Sequence, residues 1–240
     1  MLNTVAIVQA RMGAERLPNK MMLDLHGYPV IEWVLRRLSP TRRIDSIVFA
    51  IPDTGDNDEL AKYLERTGAN VFRGSETDVL GRYIQAARHN RADRIVRICA
   101  DNPFVSAAEI DRLIDFFDSV PCDYAYNHVP RGNRYPDGLG AEITTMQILA
   151  CLDANARSPE HREHIFNYIW DNREQFSITT LDPDDPGLAH PELKLDIDTA
   201  DDYKRMKRLN VRPEMTALEI VNEALITWGQ EDKFEDQRII

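Results

Sequence analysis

Arg11, Arg16 and Lys20 crowd into "ARMGAERLPNK" (10–20), directly after the apolar run "VAIV" (5–8), with Gly13 and Pro18 between them. Three long cations and two turn-making residues after a buried strand can surround an oligophosphate with N–H groups and positive charge. Arginine grips two phosphate oxygens at once, and lysine acts as a mobile point charge. The spacing matches neither GxxxxGK[ST] nor GxGxxG, so a solvated loop with scattered charge is the competing reading. A second chemistry lies further along. Asp101 follows "RIVRICA" and Asp198 closes "LKLDID". Two carboxylates just past strand ends can hold Mg²⁺, a hard cation that takes oxygen ligands and substrate phosphates. Each alone also reads as a turn or helix cap, Asp198 before "TADDYKRM" above all. Asp196 lies two residues earlier on the same face, as a further ligand or an acceptor for the loop cations.

These residues meet only if the fold gathers them. Strand-like and helix-like patterns alternate from the start: strands over 4–10, 46–52, 69–74 and 93–100, and helices over 29–38, 56–66 and 78–90. Ser106 and Glu109 have the spacing of a capping box and start the next helix. Beyond 122 the pattern loosens into strands at 122–127 and 139–146 around the loop "HVPRGNRYPDG". A helix over 159–172, strands at 177–181 and 193–198 and two further helices follow, the last over 216–228. Alternating β and α units predict an α/β fold, a mostly parallel central sheet with helices on both faces. Such sheets bind ligands beyond the carboxyl ends of their strands, where the cationic loop falls.

The chain has 240 residues, 43% hydrophobic and 29% charged, with net charge −11. That charge excludes duplex nucleic acid and anionic membranes as expected partners. It is uneven, because residues 1–50 hold seven Lys and Arg against four Asp and Glu. An anionic small molecule at the basic N-terminal loop is the partner this pattern allows. No run approaches a membrane span, and Arg11 ends the first apolar stretch too early for a signal peptide. Cys99, Cys122 and Cys151 form no CxxC pair, which predicts a reducing, cytoplasmic setting without disulfides. One domain is expected over 1–228, with an acidic tail at 229–240 that frays or docks Ile239 and Ile240 on a partner.

"VQARMGAERLPNKMMLDLHGYPVIEWVLRRL" (8–38) resembles the N-terminal signature of the bacterial sugar-acid cytidylyltransferases, which include the CMP-acylneuraminate and CMP-3-deoxy-manno-octulosonate synthetases. The nearest likeness is to the branch of the spore coat polysaccharide protein SpsF, whose hallmark is similar to "QARMGSTRLPGK". It continues in register through "VFRGSETDVLGRYIQAA", "VRICADNPFV", "YPDGLGAEI", "REHIFNYI" and "LKLDIDTADDYKRM", so it covers residues 4 to about 208. Departures are Ala14, Glu15 and Asn19 in the loop, "CADNP" for "TGDNP" and "DGLG" for "DGLD". Glu15 places a negative charge in the loop.

The resemblance implies a Rossmann-like, GT-A-like nucleotidyltransferase fold whose loop carries the CTP phosphates. Gln9, Ala10, Arg11, Met12, Gly13, Arg16 and Lys20 would bind the nucleotide. Arg11, Lys20 and Asp101 would be catalytic, and Asp101 and Asp198 would hold Mg²⁺. In "GSETDVLGR" (74–82), Ser75, Asp78 and Arg82 would face cytosine; otherwise Asp78 caps the helix and Arg82 pairs on its surface. His128, Arg131, Arg134, Tyr135 and Glu142 would contact an anionic acceptor, joined by Arg162, Glu163 and His164. The implied reaction transfers CMP from CTP to a sugar acid, or to a phosphorylated acid or sugar, with release of pyrophosphate, in surface polysaccharide or glycan synthesis. A homodimer is implied, with 122–146 at the acceptor site and dimerisation region and the loop 128–138 or the C-terminal helices near the interface. The alternatives are a GT-A-type glycosyltransferase and a catalytically silent nucleotide-binding protein. The former usually carries DxD where "CADNP" supplies one Asp.

Overall fold

Strand β1 (Thr4–Gln9) is buried on both faces, and its alternation divides the core. Ala6 and Val8 pack on one side of the sheet, Val5 and Ile7 on the other. The computed structural model describes residues 2–236. After β1 the cationic loop closes in a 3-10 turn, Lys20–Met22, and a short hairpin, β2 (Asp24–Leu25) with β3 (Tyr28–Pro29), leads into α1 (Val30–Leu38). Then come β4 (Ser46–Pro52), α2 (Asp58–Arg66), β5 (Asn70–Gly74), α3 (Val79–His89), β6 (Arg94–Cys99) and α4 (Ala107–Ser119). The second half contains β7 (Tyr124–Tyr126), β8 (Glu142–Thr145), α5 (Met146–Asn155), α6 (Pro159–Glu163), α7 (Asn167–Asp171) and β9 (Ile178–Thr180). Helices α8 (Ala200–Arg208) and α9 (Ala217–Asp236) follow.

The described residues build a seven-stranded sheet in the order β5-β4-β1-β6-β8-β7-β9. β8 runs antiparallel to both neighbours, β6 and β7, and the other pairings are parallel. One face is covered by α1, α2 and α4 through residues such as Val34, Leu64 and Leu113. The other is covered by α3 and α5 through Tyr83, Ile84 and Leu152. A third cluster joins Trp33 of α1 to Met206 of α8 and Val221 of α9.

Four sequence expectations need correction. The run 193–198 is no sheet strand: Leu193, Leu195 and Ile197 alternate into the third cluster, but only the isolated bridge Asp137–Lys194 forms. The helix expected over 159–172 is two, because Ile165 and Phe166 turn into the core between α6 and α7. The strand expected over 139–146 ends at Thr145, whose side chain caps α5, a helix the sequence reading missed. Its "MQILACLDAN" has no clean apolar stripe, so periodicity gave no signal. Finally, the helix expected to end at Trp228 runs on to Asp236; Ile239 and Ile240 lie outside the described residues.

Candidate active site

β1 and β6 are parallel neighbours, so their carboxyl ends open on the same edge of the sheet. Beyond that edge lies a crevice of about 360 Å³. Gln9, Ala10, Arg11, Glu15, Arg16 and Lys20 line it from the β1 side, and Arg97, Cys99 and Asp101 from the β6 side. Asp198 and His164 complete the walls.

Lys20 occupies the centre. It is 8% exposed, and its Nζ lies 3.0 Å from Asp101 Oδ2 and 3.8 Å from Asp198 Oδ1. It also donates to the Ile197 carbonyl at 2.9 Å. Both carboxylates therefore converge on one cation. Arg16 is exposed and reaches Asp198 Oδ2 at 3.3 Å, and Arg11 pairs with Glu163 at 3.7 Å. Glu15 is exposed at the lip. The loop holds its shape through Met12, whose N–H donates to the buried Asn57 Oδ1 at 2.9 Å. Asn19 has φ 58, in the left-handed region where asparagine is the best substitute for glycine. That accounts for Asn where the resembling hallmark has Gly.

Asp137 and Asp196, outside the crevice lining, interact electrostatically with Asp101 and Asp198. Burial, with Asp196 nearby, pushes Asp137 up to about 7 against the pull of Lys194. Burial also raises Asp196, whose Oδ1 is buried without a partner while Oδ2 lies 3.3 Å from Lys194 Nζ. Burial pushes the Cys99 thiol up to about 12 despite Arg97, so it stays protonated and is no nucleophile.

The segment 74–82 faces the loop: a Cβ built on Gly13 would lie 4.0 Å from Glu76 Oε1. The structure gives its charged residues other partners. Asp78 caps α3 through the Gly81 N–H at 2.9 Å and accepts from Arg162 Nε and Nη2, at 2.7 and 2.6 Å. Burial pushes its carboxyl up, but Arg162 and the Gly81 N–H outweigh that and hold it below its usual range. Arg82 is not a surface ion pair. It is buried, and it donates to the Ser75 carbonyl, bracing the exposed turn 75–77 from beneath. Asp78 and Arg82 thus position this turn, and Ser75 lies on it, its Oγ accepting from the Asp78 N–H at 3.0 Å.

A second cavity, about 270 Å³, adjoins the first and shares Arg97 and His164 with it. His128, Arg131, Glu142, Phe166, Asn167 and Trp170 line the rest. Glu142 is buried and bonded by Arg97 and Tyr124. Burial alone would raise its carboxyl, but Arg97 and His128 hold it below the ordinary value. Burial lowers His128, so its imidazole is neutral at neutral pH. Three expected acceptor contacts turn elsewhere. Tyr135 is fully buried, with its hydroxyl bonded to Glu109 and Arg112 of α4. Arg162 is held by Asp78 and Asp153. Arg134 pairs with Asp182 at 3.0 Å. The sequence reading missed Arg97 and Asp137. A charge inside the otherwise apolar "RIVRICA" was the available signal for Arg97.

Sheet order, the single reversed strand and a crevice at the strand ends define a nucleotidyltransferase fold. A family model described as cytidylyltransferase matches residues 5–224, and the chain belongs to that family of enzymes. It is 29% identical to the spore coat polysaccharide biosynthesis protein SpsF of Bacillus subtilis, over 90% of this chain and 91% of that protein. It is 33% identical, over 57% of its own length and 50% of the other's, to a 3-deoxy-manno-octulosonate cytidylyltransferase of Chlorobium luteolum. Among solved structures, a cytidylyltransferase from Leptospira borgpetersenii superimposes with TM-score 0.87 and 27% identity over 96% of each chain.

Proposed function

We propose that this chain transfers CMP from CTP to a small anionic acceptor, a sugar acid or a phosphorylated acid or sugar, with release of pyrophosphate. The observation that carries the reading is the pair of adjoining cavities, one walled by Arg11, Arg16 and Lys20, the other by His128, Arg131 and Glu142. The acceptor oxygen attacks the α-phosphorus from the second cavity while pyrophosphate leaves along the cationic loop. Lys20, Arg11 and Arg16 hold the phosphates as charge shifts to the leaving group, so positioning and electrostatics supply most of the rate. His164 lines both cavities and takes the proton when the acceptor is a hydroxyl; a phosphate acceptor is already ionised.

Asp101 and Asp198 offer the hard oxygen donors that Mg²⁺ takes, with water and substrate phosphates to complete the shell; the point on which they converge is held by Lys20 Nζ, which would turn to the phosphates when the ion binds. Among the described residues no group of three or more metal-type side chains forms, so the substrate would supply the remaining ligands. When bound, the ion would neutralise phosphate charge in the transition state.

The name of the spore coat polysaccharide relative supports a role in polysaccharide or glycan synthesis. The cysteines, all free, support a cytoplasmic setting, and among the described residues no helix is long and apolar enough to cross a membrane. A homodimer, with the loop 128–138 or the C-terminal helices at the interface, is part of this reading. A sedimentation mass of one 27.6 kDa chain would overturn that assembly. The reaction itself is tested by pyrophosphate release with each of the four NTPs against sugar acids and phosphorylated acids. CTP-selective release with at least one acceptor is expected. CTP binding without turnover on any of them would favour a silent nucleotide-binding protein.

A further inference from the structure

Two side chains, Arg97 and His164, line both cavities, and the reaction scheme above leaves Arg97 unused. Arg97 sits in β6, two residues before Cys99, and reaches both cavities. Its side chain is 19% exposed, one arm is fixed on the buried Glu142, and its Nε–H is buried without a partner. The cations for the triphosphate, Arg11, Arg16 and Lys20, line only the first cavity. The second has Arg97 and Arg131, the latter stacked 4.5 Å above the Trp170 ring centroid, against the single carboxylate Glu142. Two guanidinium charges against one carboxylate leave a net charge suited to one further oxyanion.

We propose that Arg97 binds the acid group of the acceptor: clamped at one arm by Glu142, its free N–H groups donate to that oxyanion in the second cavity, with Arg131 beside it. Glu142 restricts the guanidinium to one orientation, so the fork faces the ligand already ordered. The inference rests on the cytidylyl-transfer reading for its acceptor, but its first test does not need turnover. Protein labelled with [¹⁵N]arginine and saturated with CTP is titrated with acetate, with chloride at equal ionic strength as control. The Arg97 Nε–H resonance is assigned by its loss in Arg97→Gln and, should that variant not fold, in Arg97→Lys. Acetate should shift it saturably, chloride should not, and CTP alone should leave it in place. Titration with inorganic phosphate shows whether the bound group is better matched by a carboxylate or a phosphate.

A resonance that ignores both anions overturns the assignment. So does a shift on CTP alone, which would make the oxyanion the nucleotide's own. In turnover, Arg97→Gln should raise the acceptor KM about tenfold or more with CTP affinity within about twofold, and Arg97→Lys should recover part of the loss. An unchanged acceptor KM with altered CTP affinity would also overturn it. Absence of transfer to every acceptor, with the acetate shift intact, would instead count against the functional reading alone.

Discussion

Lys20 and Arg16 come from one loop but differ in what surrounds them. Lys20 is 8% exposed and shared between two carboxylates, whereas the Arg16 side chain is 69% exposed. Removing an enclosed charged donor costs about 1.5–3 kcal/mol, while an exposed ion pair contributes roughly 0–1 kcal/mol. Lys20→Ala should therefore weaken CTP binding roughly 10- to 150-fold, and Arg16→Ala about fivefold at most, both read by calorimetry. Equal losses would show that enclosure does not set the contribution. Asp101→Asn keeps the shape of the side chain and removes the charge, so kcat should fall by at least about 10²-fold with little change in thermal stability. At this scale the loop cations and Asp101 stand out in the sequence by type and place, whereas Arg97 was missed although it, too, is a charge that breaks an apolar run. Gly140 was legible only as a departure. A Cβ there would lie 2.2 Å from Asn127 Oδ1, so the contact with the buried Asn127 demands glycine.

Among the elements, α6 ties the cationic loop to the segment 74–82. Arg162 on it grips Asp78 at the start of α3, Glu163 reaches Arg11 of the cationic loop, and His164 follows into the wall between the cavities. A uniform helix over 159–172 would not have turned Ile165 and Phe166 inward. The sequence pattern could not separate these cases, since both leave apolar residues at helical spacing. The clamp also explains Gly81, in the first turn of α3. Alanine normally stabilises a helix over glycine by about 1 kcal/mol. Here its Cβ would lie 2.3 Å from Asp78 Oδ2 and 3.1 Å from Arg162 Nη2. Gly81→Ala should therefore destabilise the protein by about 1–3 kcal/mol in urea unfolding and weaken CTP binding through the displaced turn 75–77. A gain in stability would show that the Asp78–Arg162 pair yields freely.

Across the whole molecule, the acidic wall joins residues far apart in sequence. Asp101 meets Asp198 because the chain after residue 193 returns along the sheet edge, where the Ile197 N–H donates to the Asp101 carbonyl at 2.8 Å. Periodicity gave that return as a strand, since Leu193, Leu195 and Ile197 alternate, but alternation reports a buried face and not a pairing partner. It also hid Asp137, which the same return covers through the bridge to Lys194. The cover has a cost that can be measured. Asp137 titrates near 7 in the folded chain against an ordinary 3.8. Between those values the folded protein keeps a proton that the unfolded chain has lost, so this group's contribution to stability falls as pH rises through the window and levels off above it. Asparagine mimics the protonated side chain and removes the dependence. In EDTA, Asp137→Asn should match the wild-type thermal midpoint near the bottom of the window and exceed it increasingly toward pH 7. A difference that stays constant across the window would mean that Asp137 is ionised throughout, with Lys194 outweighing its burial.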